Sequence, residues 1–316
     1  MKINKNIKLI LKLLIIIASY SFIVYKLYEY EELQSTLSEL FKININGILL
    51  FLIVFVLMFA NWMIEAIKWK LLISKFEKVP TLISFKAVLS GITVAIFTPN
   101  RTGEFAGRIF VLKNHNRTKA IFSTIVGSIS QLTTTIFLGS LSVIVLILLN
   151  KFQFNLSQLY IVISLMFLIA IFSITFYFNV KIINWLLSKI RWLDKYKENF
   201  IIFSSYSKKE LLKVLLLSIV RYFIFLIQFY LLFIFFDVNL PLHEAILIIV
   251  ATYFIMALIP SITLAELGIR GSVMIYFTEL FISDFTGTLS ASIILWIINL
   301  AIPALIGSFF IYRIKV

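Results

Sequence analysis

Two stretches interrupt long apolar sequence with side chains able to do chemistry. They are Thr98-Pro-Asn-Arg-Thr-Gly-Glu-Phe-Ala-Gly-Arg108 and Ile259-Pro-Ser-Ile-Thr-Leu-Ala-Glu-Leu-Gly-Ile-Arg270. Glu104 and Arg108 stand at i,i+4, the favourable order for an ion pair on a helix, and Glu266 and Arg270 repeat that spacing and order. Arg101 adds a further guanidinium, and such planar forks suit phosphate oxygens. The chemistry to expect is recognition of an anionic group by Arg101, Arg108 and Arg270. Glu104 and Glu266 would pair with them, gate access or take a proton. Pro99 and Pro260 can each end a half-helix, and Gly103 and Gly268 allow a turn or a close backbone approach. A plainer alternative is that each Glu–Arg pair only closes its own hairpin.

The elements that must carry these motifs are membrane helices. The chain is 61% hydrophobic and only 14% charged, whereas a soluble domain carries about 25% charged residues. Several apolar runs exceed the roughly 18–20 residues that span a hydrocarbon core as a helix. Long helical runs also exclude an outer-membrane barrel. The expected fold is an all-α integral membrane protein, a polytopic helical bundle forming one domain over residues 1–316. An ionisable residue at membrane depth costs about 2.5–3.5 kcal/mol or more, so the five charged motif residues need partners or water.

The net charge of +14 does not point to nucleic acid. The basic residues fall mostly in short loops between spans, as the positive-inside rule expects, where they attract anionic lipid headgroups. The absence of cysteine removes disulfides, thiolate metal sites and cysteine nucleophiles. His115 and His243 lack a metal-ligand spacing, so no metal and no cofactor is expected.

Charge alternation sets the topology. Lys2, Lys5, Lys8 and Lys12 lead an uncleaved first span to about Tyr28, with a cytoplasmic start, and Glu29–Glu39 mark an outside loop. A second span runs inward from about Gly47 to Trp69. At its end Glu65 and Lys68 read as a snorkelling interfacial pair beside anchoring Trp62 and Trp69. Residues 80–117 start and end among basic residues, which makes them a re-entrant hairpin broken at the first motif. Spans from about Ala120 to Leu149 and Leu156 to Phe178 follow. The polar patch Ser128, Ser130, Gln131 and Thr133–Thr135 in the former suits hydrogen bonds between helices. Residues 179–213 are a basic cytoplasmic loop lying along the inner surface, with Trp185 and Trp192 at the interface.

A span from about Val214 to Phe236 carries Arg221, which either faces the bundle or snorkels. The second motif then sits in a hairpin with acidic or neutral, hence external, flanks. The last span, about Leu289–Tyr312, contains Asn299 and Pro303 as a candidate kink and ends in the cytoplasm. Residues 47–150 and 212–312 thus form pseudo-halves of an inverted repeat, and paired interrupted segments in such repeats mark a binding site near the midplane. The alternative for each hairpin is two ordinary short spans. The Asn-x-Ser/Thr matches at Asn100, Asn116 and Asn155 read as chance.

Over nearly its whole length the sequence resembles the integral-membrane family of lysylphosphatidylglycerol synthase flippase domains, which includes small stand-alone members. The resemblance rests on Pro99, Arg101, Gly103, Glu104 and Arg108, with Arg108 one place later than the family pattern. It rests equally on Pro260 followed by Ala265-Glu-Leu-Gly-Ile-Arg-Gly271. There Gly268 and Arg270 match, but the carboxylate lies at Glu266 and position 271 is glycine. The run Glu65–Lys68–Trp69–Lys70 resembles the aromatic-basic end of the family's second helix.

The resemblance implies lipid handling, here expected in a bacterial cytoplasmic membrane, and the charge pattern places both termini on the cytoplasmic side. The first reading is a flippase or transporter moving an anionic or polyprenyl-linked lipid between leaflets. Its partners would be membrane lipids, with a separate lipid-modifying enzyme or envelope proteins. The second reading is a non-catalytic scaffold or partner in cell-envelope glycolipid assembly. No aminoacyl-transferase domain follows the last span, so lysyl transfer by this polypeptide alone is not expected. No His–Asp pair or nucleophile cluster supports an intramembrane enzyme, and no catalytic residue is assigned, although carboxylate acid–base chemistry stays a third alternative.

Overall fold

Helix formation follows from long runs of Ile, Leu and Phe that satisfy every backbone group within the segment. The computed structural model describes residues 45–96, 98, 101–109, 112, 117–179, 197–259 and 263–313, with positions 17, 21, 182, 185 and 189. The expected first span, Pro99, Pro260, Asn100, Asn116, His115 and Trp192 lie outside these residues. In chain order the helices are α1 (Ile45–Ile73), α2 (Thr81–Ala95), α3 (Gly103–Ile109), α4 (Arg117–Leu148), α5 (Leu156–Phe178), α6 (Lys197–Ser204) and α7 (Lys208–Phe235). After them come α8 (Leu242–Leu258), α9 (Thr263–Glu279), α10 (Phe285–Trp296) and α11 (Ile302–Arg313). The last two are joined through a π-helical turn at Ile297–Ala301, so Phe285–Tyr312 is one apolar rod. The fold is all-α, with five helical stretches long and apolar enough to cross a membrane and no strand among the described residues.

Length separates these five from the rest. The 29 residues of α1 extend about 43 Å, more than the roughly 30 Å hydrocarbon core. The 15 residues of α2 reach only about 22 Å and the seven of α3 about 10 Å. α2 and α3 lie antiparallel and closely packed. A Cβ on Gly107 would come within 2.6 Å of the Gly91 Cα, and one on Gly103 would overlap the Val94 carbonyl. Glycine at 103 therefore serves the expected close approach. α8 and α9, at 17 residues each, form the second antiparallel pair. Here Gly268 lies within α9 on an exposed face, and a Cβ there meets nothing among the described residues within 4 Å. Among the described residues the close approach expected at Gly268 is absent.

The pairings are reciprocal. α1 packs on α7, α2 on α11, and α8 on α4. Each short pair thus leans on the long helix that closes the opposite half of the chain. Matching devices hold the two contacts: Thr93 donates to the Ala304 carbonyl at 2.7 Å, and Ser142 donates to the Leu247 carbonyl at 2.8 Å.

Residues 197–206 differ from the expected surface loop. Phe200, Phe203 and Tyr206 are buried in an aromatic cluster with Phe122 and Tyr177, and Tyr206 donates to the Leu72 carbonyl at 3.0 Å. Hydrophobic burial outweighs the flanking charge. α7 also begins earlier than Val214, because Ser207 and Glu210 form a capping box. Asn155, which reads as a chance glycosylation match, is the N-cap of α5: its side chain accepts from Gln158 N at 2.9 Å and Gln158 Oε1 accepts from Asn155 N at 3.1 Å. Asn155→Ala should cost about 1 kcal/mol, measurable as a small drop in melting temperature and faster amide exchange in the first turn of α5.

Candidate functional site

α1 brings a polar face to the bundle interior. Asn61, Glu65 and Lys68 recur at helical spacing and all three are buried. Glu65 is the hub. Its Oε1 accepts from Arg108 of α3 at 2.8 Å, while Oε2 contacts Lys68 at 2.7 Å and Arg221 of α7 at 2.9 Å. Arg221 also donates to Asn61 Oδ1 at 2.7 Å and lies over the Trp62 ring. Lys68 donates to Ser218, which is bonded in turn to Ser130 of α4.

The snorkelling reading of Glu65 and Lys68 is thereby overturned. Three cations converge on one carboxylate, which makes burial of that charge tolerable. Trp62 and Trp69 are likewise buried, not interfacial, and Trp69 donates to Thr124 at 3.0 Å. Arg221 faces the bundle. The patch on α4 hydrogen-bonds across helices as expected at Ser130, and Gln131 accepts from Arg221 at 3.4 Å.

Both motif pairs form on their own helices: Arg108 with Glu104, and Arg270 with Glu266. Neither merely closes its own hairpin. Arg108 reaches across to Glu65, and Glu266 also accepts from Arg101 of the first motif at 2.7 Å. Arg101 sits just before α3 with φ 55°, the left-handed region that a non-glycine residue adopts at some cost. That turn lets consecutive parts of one motif face two ways, with Arg101 toward α9 and Glu104 and Arg108 toward α1. Arg101 is the most exposed cation of the group, its side chain 37% accessible against 4% for Arg270.

A cavity of about 630 Å³ joins these groups. Glu65, Lys68, Arg101, Glu104, Arg221, Glu266 and Arg270 all line it, together with Trp62, Gln131 and Tyr253. Arg108 stands behind Glu65 and Glu104. Leu132, Leu258 and Ile259 also line the cavity and are exposed on the apolar outer surface, so the charged interior reaches a lipid-like exterior. Of the expected site residues, Arg101, Glu104, Arg108, Glu266 and Arg270 are brought together. Glu65, Lys68 and Arg221 complete the group and were not expected in it.

Five cations and three carboxylates make up this group, an arrangement suited to holding a phosphate-bearing anion. No curated protein and no solved structure matches the chain. The family model described as "Lysylphosphatidylglycerol synthase TM region" matches residues 9–307, nearly the full length, and the chain belongs to that family.

Proposed function

We propose that the protein moves an anionic or polyprenyl-linked lipid between the leaflets of a bacterial cytoplasmic membrane, with both termini on the cytoplasmic side. The carrying observation is one cavity lined by Arg101 from the first motif and Arg270 from the second, bridged by Glu266. Membership of a family of membrane domains associated with lipid handling supports it. A headgroup would displace Glu266 from Arg101, while acyl chains stay outside past Leu132 and Leu258. The reciprocal packing of the two short helix pairs suits alternating access between halves of an inverted repeat. A separate lipid-modifying enzyme would be the natural partner. No catalytic role is assigned to any side chain.

The test is leaflet exchange of fluorescent phosphatidylglycerol in proteoliposomes. Wild type should accelerate exchange. Arg101→Ala and Arg270→Ala should fold and lose roughly tenfold in rate, the equivalent of about 1.4 kcal/mol. No acceleration by wild type, or wild-type rates in both variants, overturns the proposal. Loss of the folded state in both variants favours the scaffold reading instead.

A further inference from the structure

We infer that the cavity takes a headgroup with two phosphate-class negative charges and no cation, one charge for each of two neighbouring clusters. The inference rests on the lipid-transport reading and names its substrate class. In the first cluster Lys68, Arg108 and Arg221 face Glu65 and Glu104. In the second, Arg101 and Arg270 face Glu266. Among the described residues each cluster therefore holds one cation more than it has carboxylates. The cations of the first cluster are at most 17% accessible, so surplus charge there is costly and a bound anion removes that cost, while Arg101 in the second stands open to the cavity.

The first motif contributes to both clusters. Arg101 belongs to one, while Glu104, a single helical turn on, and Arg108 belong to the other. The two surplus charges thus flank a single short segment, so one headgroup carrying two phosphates is the ligand class to test, as a diphosphate or as two phosphodiesters on a short bridge. Hydrogen-bonding capacity points the same way. Trp62 Nε1, Tyr222 Oη, Tyr253 Oη and Arg270 Nε belong to cavity-lining residues, are buried and have no partner among the described residues. Trp and Arg can only donate, and phosphate oxygens only accept. The carboxylates that might hold an ammonium group are already engaged by guanidinium groups: Glu65 through both oxygens, Glu104 and Glu266 through Oε1.

The experiment measures equilibrium binding to the purified full chain in phosphatidylcholine nanodiscs. Four probes are compared: phosphatidylethanolamine, phosphatidylglycerol, cardiolipin and a polyprenyl diphosphate. The doubly charged probes should bind roughly tenfold more tightly than phosphatidylglycerol, as expected for one extra buried charge contact. The zwitterion should not compete. Cardiolipin against the diphosphate tells whether the two phosphates are separate or adjacent.

Arg221→Gln neutralises the first cluster and should shrink the preference to about twofold, whereas Glu104→Gln adds a surplus cation and should enlarge it. Equal binding of singly and doubly charged probes, competition by phosphatidylethanolamine, or a preference unmoved in Glu104→Gln overturns the inference. Glu104 is partly exposed, so that variant decides the matter even where Arg221→Gln fails to fold. Preference without leaflet exchange sinks transport and keeps the site; exchange without preference does the reverse.

Discussion

Glu65→Gln should lower stability by about 3–5 kcal/mol, the usual cost of stripping a buried ion group of one partner. Both carboxylate oxygens are in use, and the three cations they meet come from α1, α3 and α7. Glutamine has the same shape, so packing is preserved and the loss is one of charge. Among the described residues Lys68 and Arg221 would be left with no carboxylate, and Arg108 with Glu104 alone. The first hairpin would also lose its ion-pair tie to α1, leaving the apolar packing of α2 on that helix. In detergent the melting temperature should fall on the order of 10 °C. Adding Lys68→Met removes one orphaned cation and should recover part of the loss, because the two sites share an interaction. A Glu65→Gln protein that melts beside wild type would mean the hub carries no stability, and that α3 is held by apolar contact alone.

That hub marks where reading the sequence reached its limit. The pairs Glu104–Arg108 and Glu266–Arg270 are legible because helical spacing alone brings their partners together. Glu65 and Lys68 are not, since two charges near the end of an apolar run have the same local appearance whether they snorkel or turn inward. The distinguishing signal is periodic. Asn61, Glu65 and Lys68 on α1 fall on one stripe, as do Thr124, Ser128, Gln131 and Thr135 on α4, and Ser218 and Arg221 on α7. A lone charge can reach an interface, but a stripe of polar residues needs a polar neighbour along its length. Three such stripes facing one another require a shared interior.

The same limit applies to residues 197–206. Their flanking lysines read as a surface loop, and only the tertiary cluster around Phe122 shows why Phe200 and Phe203 leave the surface. Asn299 was legible as a point of irregularity. It falls inside the π-helical turn and lies 3.5 Å from Asn61 Nδ2, so the irregular winding adjoins the polar stripe of α1.

Gly307→Val should break the contact between α11 and α2, while the same exchange at Gly268 should leave stability within about 0.5 kcal/mol. Both glycines are helical, so intrinsic propensity slightly favours valine at either position. Space decides the sign. At Gly307 an added Cβ would overlap the Leu89 carbonyl oxygen and the Thr93 hydroxyl, and it would lie 2.5 Å from the Leu89 carbonyl carbon. Main chain cannot swing aside as a side chain does, so the helices must separate. Separation also stretches the 2.7 Å bond from Thr93 to the Ala304 carbonyl. Overpacking of this kind costs about 1–3 kcal/mol, and the lost hydrogen bond adds about 1 kcal/mol. α2 carries the segment that places Arg101 and Arg108, so leaflet exchange should fall together with melting temperature. At Gly268 neither should change. Equal behaviour of the two valine variants would show that α2 rests loosely on the last span, and that the first motif is held by its ion pairs to Glu65 and Glu266 alone.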